Sequence, residues 1–212
     1  MPKVSAVHIA TRKQQIIDAS FRCFARKGFH PTTMHDICTD AGLSAGAVYR
    51  YFASKQEIIA SACEASQEPP NSELLANAQK TPETKERLHG LIDAFFTRLE
   101  GLGATILNRA LVQVWAEAVI NDNVRGVFKE RQAKMADGIK EIVTESQRRG
   151  DLRTTLDPNA IVQAMFALYD GFRLQKAIDS DLPSEAYVEV VKALLTGALW
   201  TGSPPSPTSG EA

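Results

Sequence analysis

Residues 44–52, with the sequence SAGAVYRYF, hold the side chains best suited to contact another molecule closely. On a helix, at about 100° per residue, Val48 and Phe52 share one face, which we expect to be buried. The opposite face has almost no bulk apart from one cation, with an aromatic ring at its edge; it consists of Gly46, Ala47, Arg50 and Tyr49. So bare a helix can enter a groove deeply, and the major groove of B-DNA, about 12 Å wide, admits one helix.

The polar side chains of this stretch suit contacts to duplex DNA. Arg50 can read a guanine edge or can contact a backbone phosphate, since at least half of such hydrogen bonds go to the backbone. Tyr49 and Tyr51 can offer hydroxyls to phosphates; alternatively, Tyr49 is a packed ring with a solvated hydroxyl. Exposed N–H groups at helix starts also bind phosphate, and three helices are predicted to start at Thr33, Ser44 and Lys55.

The elements that precede this stretch are marked by local capping signals. Residues 11–27 predict a first helix with a wide apolar stripe, and Gly28 ends it. Thr33 and Asp36 form a box-like pair at the start of a second helix. Gly42 ends that helix, because glycine readily takes the left-handed conformation.

A third and a fourth helix follow directly. Ser44 is the predicted cap of the third, and Ser54 with Glu57 forms the capping box of the fourth. Two helices with a glycine between them over residues 34–52 have the length of a helix-turn-helix, whose second helix lies in the major groove.

Longer helices are predicted for the rest of the chain. Pro69-Pro70 ends or breaks the fourth helix, and no sustained alternation of apolar and polar residues indicates a strand. Further helices are expected from Thr81 to about Leu99, over Ala104–Ile120, from the turn at 121–123 to Arg149, and from Pro158 and Pro183. The sequence therefore predicts an all-α fold of about nine helices.

The charge of the chain is distributed unevenly. Residues 1–60 hold eight Lys or Arg and four Asp or Glu, a net charge of +4, and the other 152 residues carry −5. A basic N-terminal part on an acidic body is the asymmetry expected when one end of a protein faces a polyanion.

Several classes of protein are disfavoured by what the sequence lacks. No segment resembles a signal peptide or a membrane span, so we expect a cytoplasmic protein. Three widely spaced cysteines indicate neither a disulfide framework nor a zinc site, and no metal or other cofactor is predicted. The motifs of a nucleophile elbow or a glycine-rich phosphate loop are missing, which argues against an enzyme.

Residues 16–59 resemble the N-terminal domain of the tetracycline-repressor (TetR) family of transcriptional regulators. The resemblance depends on many features in order: Phe24 and Gly28, Thr33, Asp36-Ile37, Ala41-Gly42, Ser44 and Gly46, Tyr49, Tyr51-Phe52 and Lys55. It implies a homodimer that binds a palindromic operator. The DNA-contacting positions that it implies, with the bare helix face, are Thr33, Ser44, Ala45, Gly46, Ala47, Tyr49, Arg50, Tyr51 and Lys55.

One departure from the family pattern affects the expected DNA contacts. Many relatives have lysine where this chain has Ala45, so we expect affinity to depend more on Arg50 and on two cations of the first helix, Arg26 and Lys27. The resemblance also divides the chain into a flexible arm (1–10), a DNA-binding domain (11–60), an effector-binding and dimerisation domain (61–201) and a disordered tail (202–212).

An effector site is predicted in the C-terminal domain, where aromatic side chains are mixed with a few polar groups. The candidates are Phe95, Phe96, Gln113, Trp115, Phe166, Tyr169, Asp170 and Arg173. Two alternatives remain at this point. The aromatic rings can be ordinary core residues, and Asp170 and Arg173 can simply pair with each other.

The last two helices have apolar residues on more than one stripe, so each is expected to face its own core and a second subunit. The resemblance implies a four-helix bundle between two copies, with recognition helices about 34–36 Å or more apart. The predicted interface residues are Ile161, Met165, Leu168, Phe172, Tyr187, Val191, Leu194, Leu195 and Ala198.

The sequence thus favours a repressor whose ligand releases it from DNA. The partners expected are an operator duplex, a second copy of the chain and a small-molecule effector. The alternative is an adapter or architectural DNA-binding protein without an effector.

Overall fold

The computed structural model describes residues 6–65, 83–100 and 103–197. Over those ranges it contains helices and no strand, so the all-α prediction is confirmed. The helices are α1 (Ala6–Lys27), α2 (Met34–Ala41), α3 (Ala45–Tyr49), α4 (Lys55–Ala65), α5 (Thr84–Thr97), α6 (Ala104–Ile120), α7 (Asp122–Arg148), α8 (Pro158–Ile178) and α9 (Ser184–Thr196). The expectations for Pro69-Pro70, Thr81, Ala198 and the 202–212 tail fall outside the described residues.

The predicted caps of α2 and α3 are present, and the predicted capping box of α4 is present in part: the Ser54 hydroxyl accepts from the Glu57 N–H, but the Glu57 carboxylate accepts from the Ala53 N–H. Gly28 and Gly42 take left-handed backbone angles, with φ of +84° and +65°. Thr33 and Asp36 form a full capping box at the start of α2, and the Ser44 hydroxyl accepts from the Ala47 N–H. These interactions join residues three or four positions apart, which is why the sequence was sufficient to predict them.

The first helix begins earlier than predicted. It starts at Ala6 and not at Thr11, so residues 6–10 belong to the helix and not to a flexible arm. Residues 6–10 contain neither glycine nor proline, the residues that most oppose a helix. The Thr11 hydroxyl donates to the Val7 carbonyl at 2.9 Å, as expected inside a continuous helix.

Two hydrophobic cores organise the chain. The first core holds α1–α4 together and includes Val114 and Ala118 of α6 and Val124 at the start of α7. The second core is built from α5, the later part of α7, α8 and α9. α7 therefore contributes to both cores. Of the helices of the first core, α1 packs on α6 and α4 packs on α7.

Candidate nucleic-acid interface and ligand site

The short helix α3 presents the two faces that its sequence predicts. Val48 and Phe52 are 0% and 3% exposed and lie in the first core. Tyr49 is 52% exposed, and Ala45, Gly46 and Arg50 are also exposed, with Ala47 half-buried. Although α3 ends at Tyr49, the Phe52 N–H still donates to the Val48 carbonyl at 3.0 Å, so the helical turn continues.

Nothing inside the chain requires glycine at position 46. A Cβ added there would meet no atom within 4 Å, and the backbone angle is not left-handed. Glycine in a helix costs about 0.5–1 kcal/mol relative to alanine. Packing within the described residues therefore does not explain why the side chain is missing, and its absence lets another molecule approach α3 closely.

Arg50 and Tyr51 contact each other beside that surface. One Arg50 Nη atom donates to the Tyr51 hydroxyl at 2.9 Å, and the guanidinium lies 5.0 Å from the Tyr51 ring centre. Each side chain thus limits the movement of the other, while the guanidinium charge stays exposed to solvent. Arg50 remains exposed on the same side as the bare surface of α3.

Thr33 and Ser44 use their hydroxyls for capping. The Thr33 hydroxyl donates to Asp36 Oδ2 at 2.8 Å, and the Ser44 hydroxyl accepts from the Ala47 N–H at 3.3 Å. Hydrogen bonds from Lys27 and from the Thr33 N–H and hydroxyl hold the pKa of Asp36 well below its ordinary value. These side chains fix the orientation of α2 and α3 as well as lying at the predicted interface.

Lys55 was expected to contact DNA, but its ammonium group does not point away from the domain. Its ammonium turns inward and donates to the carbonyls of Phe29 and His30 at 2.6 and 3.2 Å. It also lies 4.4 Å from the Phe29 ring centre. Burial lowers the pKa of Lys55, and the Glu117 carboxylate opposes that change. Lys55 therefore joins the start of α4 to the turn after α1.

The cations of α1 are also engaged within the domain. Arg26 lies 2.6 Å from Asp40, and Lys27 lies 2.7 Å from Asp36. Arg22 makes a second ion pair with Asp40 at 2.7 Å. These acids come from α2, so Arg26 and Lys27 attach α1 to α2 while both side chains stay exposed. Their contribution to DNA affinity stays a prediction.

In the C-terminal part, side chains of several helices meet around Arg173 of α8. The guanidinium lies 4.6 Å from the Tyr169 ring centre and 5.6 Å from that of Trp115, and it donates to the Tyr169 hydroxyl. Phe95 and Phe96 of α5 approach the Tyr169 ring edge-on, each with centroids 5.5 Å apart. The structure therefore brings together most of the predicted ligand-site residues.

Two of the alternatives left open by the sequence are resolved here. Asp170 makes no ion pair with Arg173 within 4 Å among the described residues, although the two charges still interact. The second core contains Phe95, Phe96 and Phe166, each at most 9% exposed. Phe95 and Phe96 are thus core residues that also border the cluster, whereas Phe166 is a core residue.

Gln113 lies away from this cluster. Its Oε1 atom would be 3.2 Å from a Cβ at Gly28, in the turn after α1. The structure therefore does not bring Gln113 to the residues around Arg173. Trp115 and Gln113 are two positions apart on a helix, which directs their side chains to different faces.

Models of known protein families match both the N-terminal and the C-terminal part of the chain. Residues 16–62 match the model of bacterial regulatory proteins of the tetR family. Residues 82–199, more than half of the chain, match the model of the C-terminal domain of BetI-type transcriptional repressors. The chain belongs to the TetR family. It is a DNA-binding transcriptional regulator with a helix-turn-helix, here α2 and α3, and its family is not one of enzymes.

Individual relatives show how the similarity is distributed. The uncharacterised regulator YerO of Bacillus subtilis is 47% identical over 53 residues, which are 25% of this chain and only 18% of YerO. The regulator TtgR of Pseudomonas putida is 27% identical over 163 residues, 75% of this chain and 77% of TtgR. FadR of Bacillus subtilis, solved in complex with stearoyl-CoA, has the same fold, with a TM-score of 0.78 at 23% identity over 88% of this chain and 99% of FadR.

Most of the predicted dimerisation residues of this TetR-family protein lie on the side of α8 and α9 that packs on the second core of its own chain. Phe172 and Val191 are each 2% exposed, and the Phe172 and Tyr187 rings stack with centroids 4.0 Å apart within the chain. Partly buried residues that also pack on the second core are Ile161, Met165, Leu168, Tyr187 and Leu195. Of the predicted residues that are described, Leu194 alone is exposed, at 46%.

The other side of these two helices is an exposed apolar face that no helix of the described ranges covers. Its large exposed residues are Leu174, Ile178, Val190 and Leu194. Exposed alanine and glycine residues continue it along α8 and α9, at Ala160, Ala164, Ala167, Gly171 and Ala186. Apolar residues three or four positions apart indicate this face in the sequence. Both sides of each helix are apolar, however, so the sequence does not show which side packs on the core and which is exposed.

A contact between the DNA-binding helices and α6 was not predicted. His30 Nε2 lies 2.9 Å from Glu117 Oε2, and Glu117 is 4% exposed. The other carboxylate oxygen accepts from Asn121 Nδ2 at 2.8 Å. The sequence holds no signal for it, because His30 and Glu117 are far apart in the chain.

Within the described residues, every helix falls short of the length and apolar character that crossing a bilayer requires. The same residues contain no group of three acidic, histidine or cysteine side chains arranged to hold a metal ion.

Proposed function

We propose that this TetR-family regulator is a repressor that binds a palindromic operator as a homodimer and leaves it when a small molecule binds the C-terminal cluster. The bare face of α3 carries the first part of the proposal. It is exposed, it has no packing reason to lack side chains, and Arg50 lies beside it. We infer that DNA contacts come from this face, with Thr33, Ser44, Tyr49 and Tyr51 around it.

The homodimer is supported by the apolar face of α8 and α9. Leu174 and Leu194 are 43% and 46% exposed, and Ile178 is 76% exposed. Large exposed apolar patches mark interaction surfaces, and two helices from each of two copies would bury this one in a four-helix bundle. Such a two-fold arrangement presents two copies of α3 to successive turns of DNA, which is why an inverted repeat is expected.

Release by a ligand is supported by the position of α6. Its Trp115 faces Arg173 of the C-terminal cluster, while Glu117 and Gln113 contact the turn after α1. A ligand that displaces Trp115 would move the same helix on which α1 packs, and α1 in turn packs on α2 of the helix-turn-helix. A coupling free energy of about 1–3 kcal/mol is enough to regulate. That FadR of Bacillus subtilis binds stearoyl-CoA supports ligand binding by this fold.

The experiment is the selection of bound sites from random duplex DNA by the purified protein, in about 150 mM salt to suppress non-specific binding. Enrichment of an inverted repeat is expected. A variant with Gly46→Glu, whose side chain has room in the folded chain, should fold normally and enrich nothing. Enrichment of a single half-site would contradict the dimeric operator, and binding without sequence preference would contradict specific reading by α3.

The selected duplex then serves to test release. A panel of small molecules is screened for loss of operator binding, with the protein's melting temperature measured in parallel. Compounds that both stabilise the protein and release DNA support the proposal. Full operator occupancy with every compound would favour the alternative, an effector-independent DNA-binding adapter.

A further inference from the structure

The side chains that meet around Arg173 include a buried guanidinium, that of Arg173 itself, which no carboxylate of the described residues neutralises by an ion pair. Arg173 is 9% exposed. It donates to the Tyr169 hydroxyl and lies against the rings of Tyr169 and Trp115, but no carboxylate among the described residues lies within 4 Å of it. Buried charges in proteins are normally paired, because removing an ion from water is costly.

Two buried hydrogen-bond donors beside Arg173 have no acceptor within the ranges that the structure describes. Arg173 Nε and Trp115 Nε1 are both buried and without a hydrogen-bond partner. A buried donor without an acceptor destabilises the folded protein, so a ligand that accepts from it gains affinity. The guanidinium carbon lies 5.6 Å from the Trp115 ring, so one group with two acceptor oxygens can serve both donors.

The charge around the donors is suited to an anion. Burial raises the pKa of Asp170, and the positive charges of Arg173 and Arg131 act in the opposite direction. Because burial disfavours ionisation of Asp170, its carboxylate offsets the positive charge of Arg173 only in part. A cation would be repelled here, and the faces of Tyr169 and Trp115 that could attract it are already occupied by Arg173.

We propose that the effector is an apolar molecule with one carboxylate, and that its oxygens accept hydrogen bonds from Arg173 Nε and Trp115 Nε1. The apolar part would lie against the neighbouring rings, of which Phe95, Phe96 and Phe128 approach Tyr169 or Trp115 within 6.4 Å between centroids. This inference deepens the proposed ligand-released repression and rests on it.

The test compares acids with matched amides. The probes are benzoate, 1-naphthoate and decanoate, their primary amides, and the corresponding primary ammonium compounds. Binding to the full chain is measured by isothermal titration calorimetry and by the shift in melting temperature. At least one acid should bind about tenfold or more tightly than its amide, since hydrogen bonds to charged groups are the stronger ones, and the ammonium compounds should not bind.

Variants identify the residue that makes the distinction. Arg173→Met should abolish the preference for the acid over its amide and leave the melting temperature without ligand unchanged or higher, because a buried charge is removed. Arg173→Lys should retain part of the preference. Arg109→Met, at an exposed arginine on α6 that donates to the Ala177 carbonyl, is the matched control and should behave as wild type.

Three results would overturn the proposal: binding of no acid, binding of amides or ammonium compounds as tightly as the acids, or an unchanged preference in Arg173→Met. The operator selection is independent of these probes. An inverted repeat together with failure of every acid would therefore reject the ligand class and leave DNA recognition standing.

Discussion

At the residue scale, Gly46 is the position where the needs of the fold and of the proposed DNA contact diverge most. The chain leaves open space beside it. Its lack of a side chain reduces helix stability and benefits only a partner that approaches closely.

We predict that Gly46→Ala raises the free energy of unfolding by up to about 1 kcal/mol, because alanine is the better helix former. Operator affinity should fall by about tenfold, since a methyl group separates α3 from the groove. Urea denaturation and fluorescence anisotropy measure the two effects. Gly126→Ala on α7, also in open space, should raise stability without changing affinity; equal affinity for both variants would contradict the assigned role of α3.

Asp36 supports a prediction about pH. Lys27 and Thr33 depress its pKa in the folded state, so its contribution to stability is complete above the unfolded-state pKa of about 3.9 and is lost as pH falls toward the folded-state value. Unfolding free energies of wild type and Asp36→Asn should therefore differ most at neutral pH. The difference should begin to shrink as the pH falls below about 4 and continue to shrink toward the folded-state pKa. A difference independent of pH would show that the carboxylate charge is unimportant.

At the element scale, α6 connects the two functional parts of the molecule. Its Ala110, Val114 and Ala118 pack in the first core, while Trp115 lies against Arg173 of α8. Glu117 is its polar contact with the turn after α1.

The contact between His30 and Glu117 should be measurable as a coupling energy. In a double-mutant cycle of His30→Ala and Glu117→Gln, we expect an interaction of about 0.5–3 kcal/mol in unfolding free energy, as for residues in direct contact. His35→Ala combined with Glu117→Gln is the control and should be additive, since His35 is exposed on α2. Additivity in both cycles would show that this contact does not attach α6 to the DNA-binding helices.

At the scale of the whole molecule, the exposed face of α8 and α9 should determine the oligomeric state. Leu174→Glu with Leu194→Glu would place four carboxylates in the proposed four-helix bundle, so a monomer and a loss of operator affinity are expected. Sedimentation equilibrium and anisotropy measure these effects. Val119→Glu, at a 76% exposed position on α6, is the control and should remain dimeric; a dimeric Leu174/Leu194 variant would contradict the proposed interface.

The sequence determined the features that depend on neighbouring residues. The caps at Thr33, Ser44 and Gly42 and the two faces of α3 follow from hydrogen bonds and helix geometry over three or four positions. The ends of α1 at Lys27, of α2 and of α6 were correct for the same reason. The bare face of α3 was therefore predictable together with its likeness to TetR regulators.

The tertiary structure decided how distant residues are used. Arg26, Lys27 and Lys55 looked like cations for DNA, but acids and carbonyls from other elements hold them. Which apolar side of α8 and α9 is buried depends on where α5 and α7 pack. The contacts of Glu117 with His30 and of Arg173 with Trp115 depend on how α6 lies between the two cores. Charge and hydrophobicity are properties of a residue, whereas the partner of that residue is set by packing over the whole chain.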